Sequence, residues 1–280
     1  MSDTNTANPE MAELWNGPGA HSWIAAQAVL DQAFHGFETL LADTAAEAGA
    51  RAVLDVGCGT GATTRAIARR IAPEGTALGL DLSAPMIAHA EALAGKEGSA
   101  ARFLAGDAQT YAFEPAGFDL IVSRFGVMFF SDPVGAFANL RRAAQPGAGL
   151  AMLSWRSMTE NPFMTTAERS AAPLLPDLPK RNGGGPGQFA FADRHHVHGI
   201  LDEAGWTGTT SEALDMTCTF PAAALDTYLG LMGPVGQYLA RADEATHERV
   251  TRAIREGFSD YIAGADVQFT AACWLTRATA

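Results

Sequence analysis

The sequence predicts an α/β fold: a doubly wound, mostly parallel sheet with helices on both faces. Three observations carry that expectation. Short apolar runs alternate with helix-patterned stretches from residue 52 to residue 155. Most of the runs end on Asp, Gly or Ser, where a strand gives way to a loop. The run Phe118 to Ser123 is almost continuously apolar, as a strand covered on both faces must be. Such a rhythm implies parallel strands joined by right-handed crossovers. With 280 residues, 48% of them hydrophobic, the chain can bury a large core, enough for one enlarged domain or a domain with a cap.

Residues 1–10 are polar, without an apolar core, and read as a disordered start rather than a secretory signal. Residues 11–49 are helix-patterned, with Trp15, Trp23, Leu30, Phe34 and Phe37 set among alanines. The first strand covers 52–56. The helix after Gly61 has Ile67 and Ile71 on one face and ends before Pro73. A second strand, 76–80, stops at Asp81, and Ser83 is placed to cap a helix that carries Met86, Ile87, Ala90 and Ala94 at core spacing. A third strand covers 101–105 and a fourth 118–123. Asp132-Pro133 opens a helix to Arg142, stopped near Pro146-Gly147, and a fifth strand covers 150–155. From 156 to 193 the rhythm breaks into prolines, the run Gly183-Gly184-Gly185 and scattered Phe and Met, the composition of a lid or binding loop. A helix capped by Asp193 stops at Gly205. Helical stretches follow over 221–239 and 243–258, and a last strand covers 267–275.

The loop Asp55-Val56-Gly57-Cys58-Gly59-Thr60-Gly61 joins the first strand to its helix. Glycines in a strand-to-helix loop let a ligand approach the backbone, because no Cβ stands in the way. Their spacing is G-x-G-x-G, whereas the dinucleotide fingerprint is G-x-G-x-x-G, and Asp55 would repel a pyrophosphate. A cationic ligand without phosphate suits the loop better. S-adenosylmethionine, with its ammonium and sulfonium, is such a ligand.

Three further segments follow at strand ends: Gly79-Leu80-Asp81-Leu82-Ser83 with Met86, Gly106-Asp107-Ala108, and Phe118-Asp119-Leu120-Ile121-Val122-Ser123. On these four motifs the chain resembles the class I S-adenosylmethionine-dependent methyltransferases, over about residues 50–155 and again at the C-terminus. The stretch from Ser123 through Phe130 to Asp132-Pro133, with Trp15-Asn16-Gly17 and Trp23, is similar to bacterial small-molecule methyltransferases. The resemblance implies a seven-stranded sheet with a helical lid and disordered start (1–49), a cofactor-binding core (50–155), an inserted cap (156–193) and the rest of the core (194–280). It implies that Gly57, Gly59 and Gly61, with Cys58 between them, pack against the methionine and ribose of S-adenosylmethionine. Asp55 would hold the ammonium side and Asp81 the ribose hydroxyls. Leu82 and Met86 would line the adenine, Gly106 and Asp107 would meet its amino edge, and Ala108 would donate its backbone N–H. Ser123 and Phe125 would lie beneath the methionine. The product would be S-adenosylhomocysteine.

Methyl transfer from a sulfonium needs positioning and exclusion of water, and a general base only where the acceptor holds a proton. His21, Tyr111 and His195 are the candidate bases. His195, His196 and His198 follow the Asp193 cap and spread over different helix faces, so no metal site is expected. The candidate acceptor lining is Trp15, Trp23, Phe125, Met128, Phe129, Trp155, Phe163, Met164, Phe189 and Phe191, which favours a small apolar or aromatic acceptor. Arg124 and Arg156 could read a carboxylate on it. Asn161-Pro162-Phe163 lies after the fifth strand, away from where a nucleic-acid or amide methyltransferase signature would stand, and reads as a turn.

The net charge of −12 opposes a nucleic-acid partner. Arg69-Arg70 and Arg141-Arg142 sit near helix ends, where cations offset the dipole. No apolar run is long enough to span a bilayer, and the three scattered cysteines suit a reduced, cytoplasmic protein. A non-methylating binder of the same cofactor, or an enzyme acting on RNA or protein, are the rival readings.

Overall fold

The structure is a computed structural model that describes all residues except 1–6, 179–184, 232, 240 and 241. Among the described residues eight strands form one sheet: β1 (Ala52–Val56), β2 (Thr76–Asp81), β3 (Arg102–Ala105), β4 (Phe118–Arg124), β5 (Ala144–Trp155), β6 (Thr207–Pro221), β7 (Ile262–Ala263) and β8 (Asp266–Thr279). Their order is β3-β2-β1-β4-β5-β8-β6, with the two-residue β7 paired to β8. β1 to β5 run parallel. β8 lies antiparallel between β5 and β6. The expected doubly wound, mostly parallel sheet is therefore present, with seven principal strands.

The central strands are apolar for the expected reason. Leu54, Ile121 and Val122 are fully buried, because β1 and β4 are covered on both faces. Helices α1 (Pro9–Asn16), α2 (Pro18–Ala25), α3 (Gln27–Ala33) and α4 (His35–Glu47) precede β1. α5 (Ala62–Ile71), α6 (Ala84–Glu97) and α7 (Pro133–Ala143) are the crossovers. Ser83 caps α6 by accepting the Met86 N–H, and Asp132 caps α7 by accepting that of Gly135. After β5 come α8 (Pro162–Ala171) and α9 (Arg194–Glu203), the latter capped by Asp193. α10 (Leu225–Leu231), α11 (Gly233–Leu239) and α12 (Glu244–Gly257) stand between β6 and β7.

Four expectations are corrected. Pro9 and Glu10 begin α1 instead of belonging to a disordered start, and residues 1–6 of that stretch lie outside the described residues. β5 begins at Ala144, and Gly147 at φ +81° lies within it. The stretch 156–193, read as irregular, holds the ten-residue helix α8; most of its glycine run lies outside the described residues. The fourth correction is β6, which has no counterpart among the apolar runs. It is an edge strand whose residues are mostly exposed, with Glu212 and Asp215 on it. One sheet edge in solvent needs no apolar run, so periodicity gives little signal there.

Asn161 caps nothing with its side chain but locks α8 to the sheet. Its Nδ2 donates to the Ala272 carbonyl and its Oδ1 accepts the Ala272 N–H, both at 2.9 Å. α8 and α12 pack closely, with the Phe163 and Phe258 rings edge to face at 5.1 Å. Among the described residues no helix is long and apolar enough to cross a membrane.

Candidate functional site

The carboxyl ends of β1, β2 and β4 open into a cavity of about 520 Å³, where open α/β sheets bind ligands. The three loop glycines do different work. Gly57 has φ +67°, and a Cβ on it would stand 2.6 Å from the Gly126 Cα, so the β1 and β4 loops can touch only without side chains. Its N–H and that of Cys58 both donate to the Leu80 carbonyl, at 2.8 and 3.2 Å. Gly59 has φ +55° and faces the cavity; nearest its missing Cβ are Met86 Sδ at 3.6 Å and Trp23 Nε1 at 3.8 Å. Gly61, at φ +79°, starts α5 and packs on the Phe103 ring, away from the cavity wall.

Asp81 ends β2 on the wall. Its Oδ2 accepts the Gly59 N–H at 2.7 Å and its Oδ1 accepts the Ser83 N–H at 2.8 Å. Burial pushes its carboxyl above the usual range. Each oxygen retains acceptor capacity toward the cavity. Asp107 also lines the wall, next to Gly106 and Ala108, and Gln109 steadies it through its backbone N–H and side-chain amide. Leu82 and Met86 complete this side.

Asp55 stands elsewhere. It is 1% exposed and lies behind the glycine loop, off the wall, its Oδ2 accepting the Thr64 hydroxyl at 2.6 Å. Burial pushes its carboxyl up to about 6. Cys58 is likewise buried off the wall, its Sγ filling the place where a Gly79 Cβ would be. Ser123 does not line the cavity either. Its hydroxyl donates to the Val56 carbonyl at 2.7 Å and accepts the Gly126 N–H at 3.2 Å, fastening β4 to β1.

The N-terminal helices close the opposite side. Asn8 Nδ2 donates to the Phe129 carbonyl at 2.7 Å, and Asn16 both donates to the Leu82 carbonyl and accepts the Ala84 N–H. Trp15 meets Phe129 edge to face at 5.2 Å and Trp23 at 6.2 Å. At the floor, Phe125 has φ +63°, a conformation rare for a bulky side chain. It stacks on Trp155 at 4.0 Å, with Phe34 at 5.8 Å from both rings.

Of the expected acceptor lining, Trp15, Trp23, Phe125, Met128, Phe129, Trp155, Phe163 and Met164 face the cavity, whereas Phe189 and Phe191 pack in the core outside it. None of the three candidate bases lines it. His21 and His195 are exposed, and Tyr111 packs against Phe113. Among the described residues no group of three His, Cys, Asp or Glu comes together. Arg156 bonds Glu160 at 2.9 Å and Asp215 at 2.8 Å, leaving Arg124 as the basic side chain on the wall. The far wall includes Glu168, Tyr228, Leu229 and Phe258, from α8, α10 and the end of α12. Tyr228, Leu229 and Phe258 fall in the stretches read as helical, whereas Glu168 falls in the one read as irregular, and nothing in the sequence showed that α10 and α12 would reach this cavity.

The wall by the glycine loop carries two carboxylates, Asp81 and Asp107. A phosphate there would meet like charge, whereas nucleoside hydroxyl and amino groups would find acceptors. These residues fit S-adenosylmethionine.

Residues 53–147 match a family described as a methyltransferase domain. The demethylmenaquinone methyltransferase of Lactiplantibacillus plantarum is 36% identical over 103 residues, covering 36% of this chain and 44% of that protein. The aklanonic acid methyltransferase DauC of a Streptomyces species is 33% identical over 103 residues, covering 36% and 47%. The chain thus spans less than half the length of either relative. Its fold matches that of the cyclase SpnF with a TM-score of 0.55 at 16% identity, over 93% of this chain and 94% of that one.

Proposed function

We propose that this chain is a class I S-adenosylmethionine-dependent methyltransferase, its residues 53–147 matching a methyltransferase domain, and that it methylates an oxygen, nitrogen or carbon of a small, largely apolar or aromatic acceptor. The observation that carries the reading is the juxtaposition of two compartments in one cavity. A polar wall of Asp81, Asp107 and the glycine loop adjoins an aromatic one of Phe125, Trp155, Phe163 and Tyr228.

Bound there, S-adenosylmethionine supplies a methyl group already activated by its sulfonium. Asp81 would accept hydrogen bonds from the ribose hydroxyls. Leu82 and Met86 would pack on the adenine, with Asp107 and the Ala108 N–H at its polar edge. Trp15 and Trp23 would help to shield the reacting atoms from water, above a floor formed by the Phe125–Trp155 stack. Holding two reactants in line in such a dry space supplies much of the acceleration this chemistry needs. The aromatic compartment would take a flat acceptor; the two relatives are named for small-molecule acceptors, demethylmenaquinone and aklanonic acid.

The test is direct. The protein is incubated with S-adenosylmethionine and a panel of hydroxyquinones, phenols and aromatic acids, and S-adenosylhomocysteine is measured. Formation with an acceptor of this class is the expected result. Tight binding of S-adenosylhomocysteine without turnover on any acceptor would instead favour a non-methylating binder, a role open to a fold shared with a cyclase.

A further inference from the structure

Arg124 ends β4 on the wall of the cavity and is the one basic side chain among the described residues that line it. Its Nη1 is buried and has no hydrogen-bond partner among the described residues. An unsatisfied buried donor on a charged group is costly, and natural structures seldom leave one without use. Two carboxylates feel its charge: Arg124 lowers the carboxyls of Asp55 and Glu38 against the upward push of burial. Neither pairs with it. Asp55 bonds Thr64, and Glu38 lies near His35 and Arg69. Arg156, the other arginine at a strand end by the site, already serves Glu160 and Asp215. Arg124 thus lines the cavity without an ion pair to a carboxylate among the described residues.

We propose that Arg124 is the carboxylate anchor of this cavity, its guanidinium pairing with a carboxylate of the molecule bound there. The inference rests on the reading of the cavity as a site for S-adenosylmethionine and an apolar acceptor. A planar guanidinium matches a carboxylate in geometry and charge. Two carboxylates of the same chemistry could occupy it: that of the cofactor's amino-acid end, or an acid group on the acceptor.

Calorimetry on the full chain separates them. S-adenosylhomocysteine, 5′-methylthioadenosine (the same nucleoside without the amino-acid end) and 2-naphthoate with its neutral amide are titrated into the wild type, Arg124→Gln and Arg124→Lys. Naphthoate is titrated with and without S-adenosylhomocysteine. In Arg124→Gln one of the acid-bearing ligands should bind roughly ten- to hundred-fold more weakly. Methylthioadenosine and the naphthamide should be unaffected, and Arg124→Lys should recover part of the loss. A loss confined to S-adenosylhomocysteine assigns the anchor to the cofactor. A loss confined to naphthoate assigns it to the acceptor. Unchanged binding of both acids overturns the anchor while leaving the cofactor reading intact, and an equal fall for methylthioadenosine in both variants overturns it by showing a structural role. Should the wild type fail to bind S-adenosylhomocysteine, the cofactor reading falls, and naphthoate alone then upholds or overturns the anchor.

Discussion

Asp81 reaches across 22 positions of sequence to hold Gly59, its Oδ2 accepting the Gly59 N–H at 2.7 Å. The carboxylate that would meet the ribose therefore also sets the shape of the glycine loop. Asp81→Ala should weaken S-adenosylhomocysteine binding by about 1–3 kcal/mol through lost hydrogen bonds. Calorimetry giving an unchanged affinity would remove Asp81 from the site.

Gly57 and Gly59 should separate folding from binding. In Gly57→Ala the new Cβ meets the Gly126 backbone at 2.6 Å, with strain from φ +67° in addition, so stability should fall on the order of 2–4 kcal/mol. In Gly59→Ala the Cβ points to Met86 and Trp23 at ordinary contact distance. Its stability should fall only about 1 kcal/mol, from the left-handed backbone, while S-adenosylhomocysteine affinity drops sharply. Urea unfolding and calorimetry on the pair check both halves.

Asp55 makes stability depend on pH. Its carboxyl, pushed up to about 6 by burial, lies above its unfolded value. The favourable contribution is therefore full below the unfolded pKa and is lost as pH rises through about 6. The loss is on the order of 3 kcal/mol. Asp55→Asn, neutral and of the same shape, should flatten the decline between about pH 4 and 7 in urea midpoints. A decline equal to that of the wild type would show that other groups cause it; Asp81, shifted in the same direction, is the first to examine.

Ser123→Ala should cost about 1–3 kcal/mol of stability, since it strips partners from the Val56 carbonyl and the Gly126 N–H in a buried place. Because the hydroxyl is off the cavity wall, the affinity for 5′-methylthioadenosine should change much less than the unfolding midpoint. Equal loss in both would place Ser123 at the ligand after all.

Much of the core was legible because its signals are local. Ser83 and Asp193 were readable as caps and Asp132-Pro133 as a helix start from their place before helical spacing, and each of the three accepts a first-turn N–H. β6 was not, since an exposed edge strand carrying Glu212 and Asp215 has no apolar run to show. The α8 helix was hidden by the prolines and glycines around it.

The same division runs through the site. Local chain order sufficed to place Gly57, Gly59, Asp81 and Asp107 at the carboxyl ends of parallel strands, because a strand, a turn and a helix in succession leave the turn no other location. Packing between distant segments settled what order could not. It turned Asp81 to the cavity and buried Asp55 against Thr64. It brought α10 and the end of α12 to the wall beside α8. It left Arg124 on the wall with a buried donor that has no hydrogen-bond partner among the described residues. A side chain's direction depends on what lies across from it, and those neighbours come from elsewhere in the sequence.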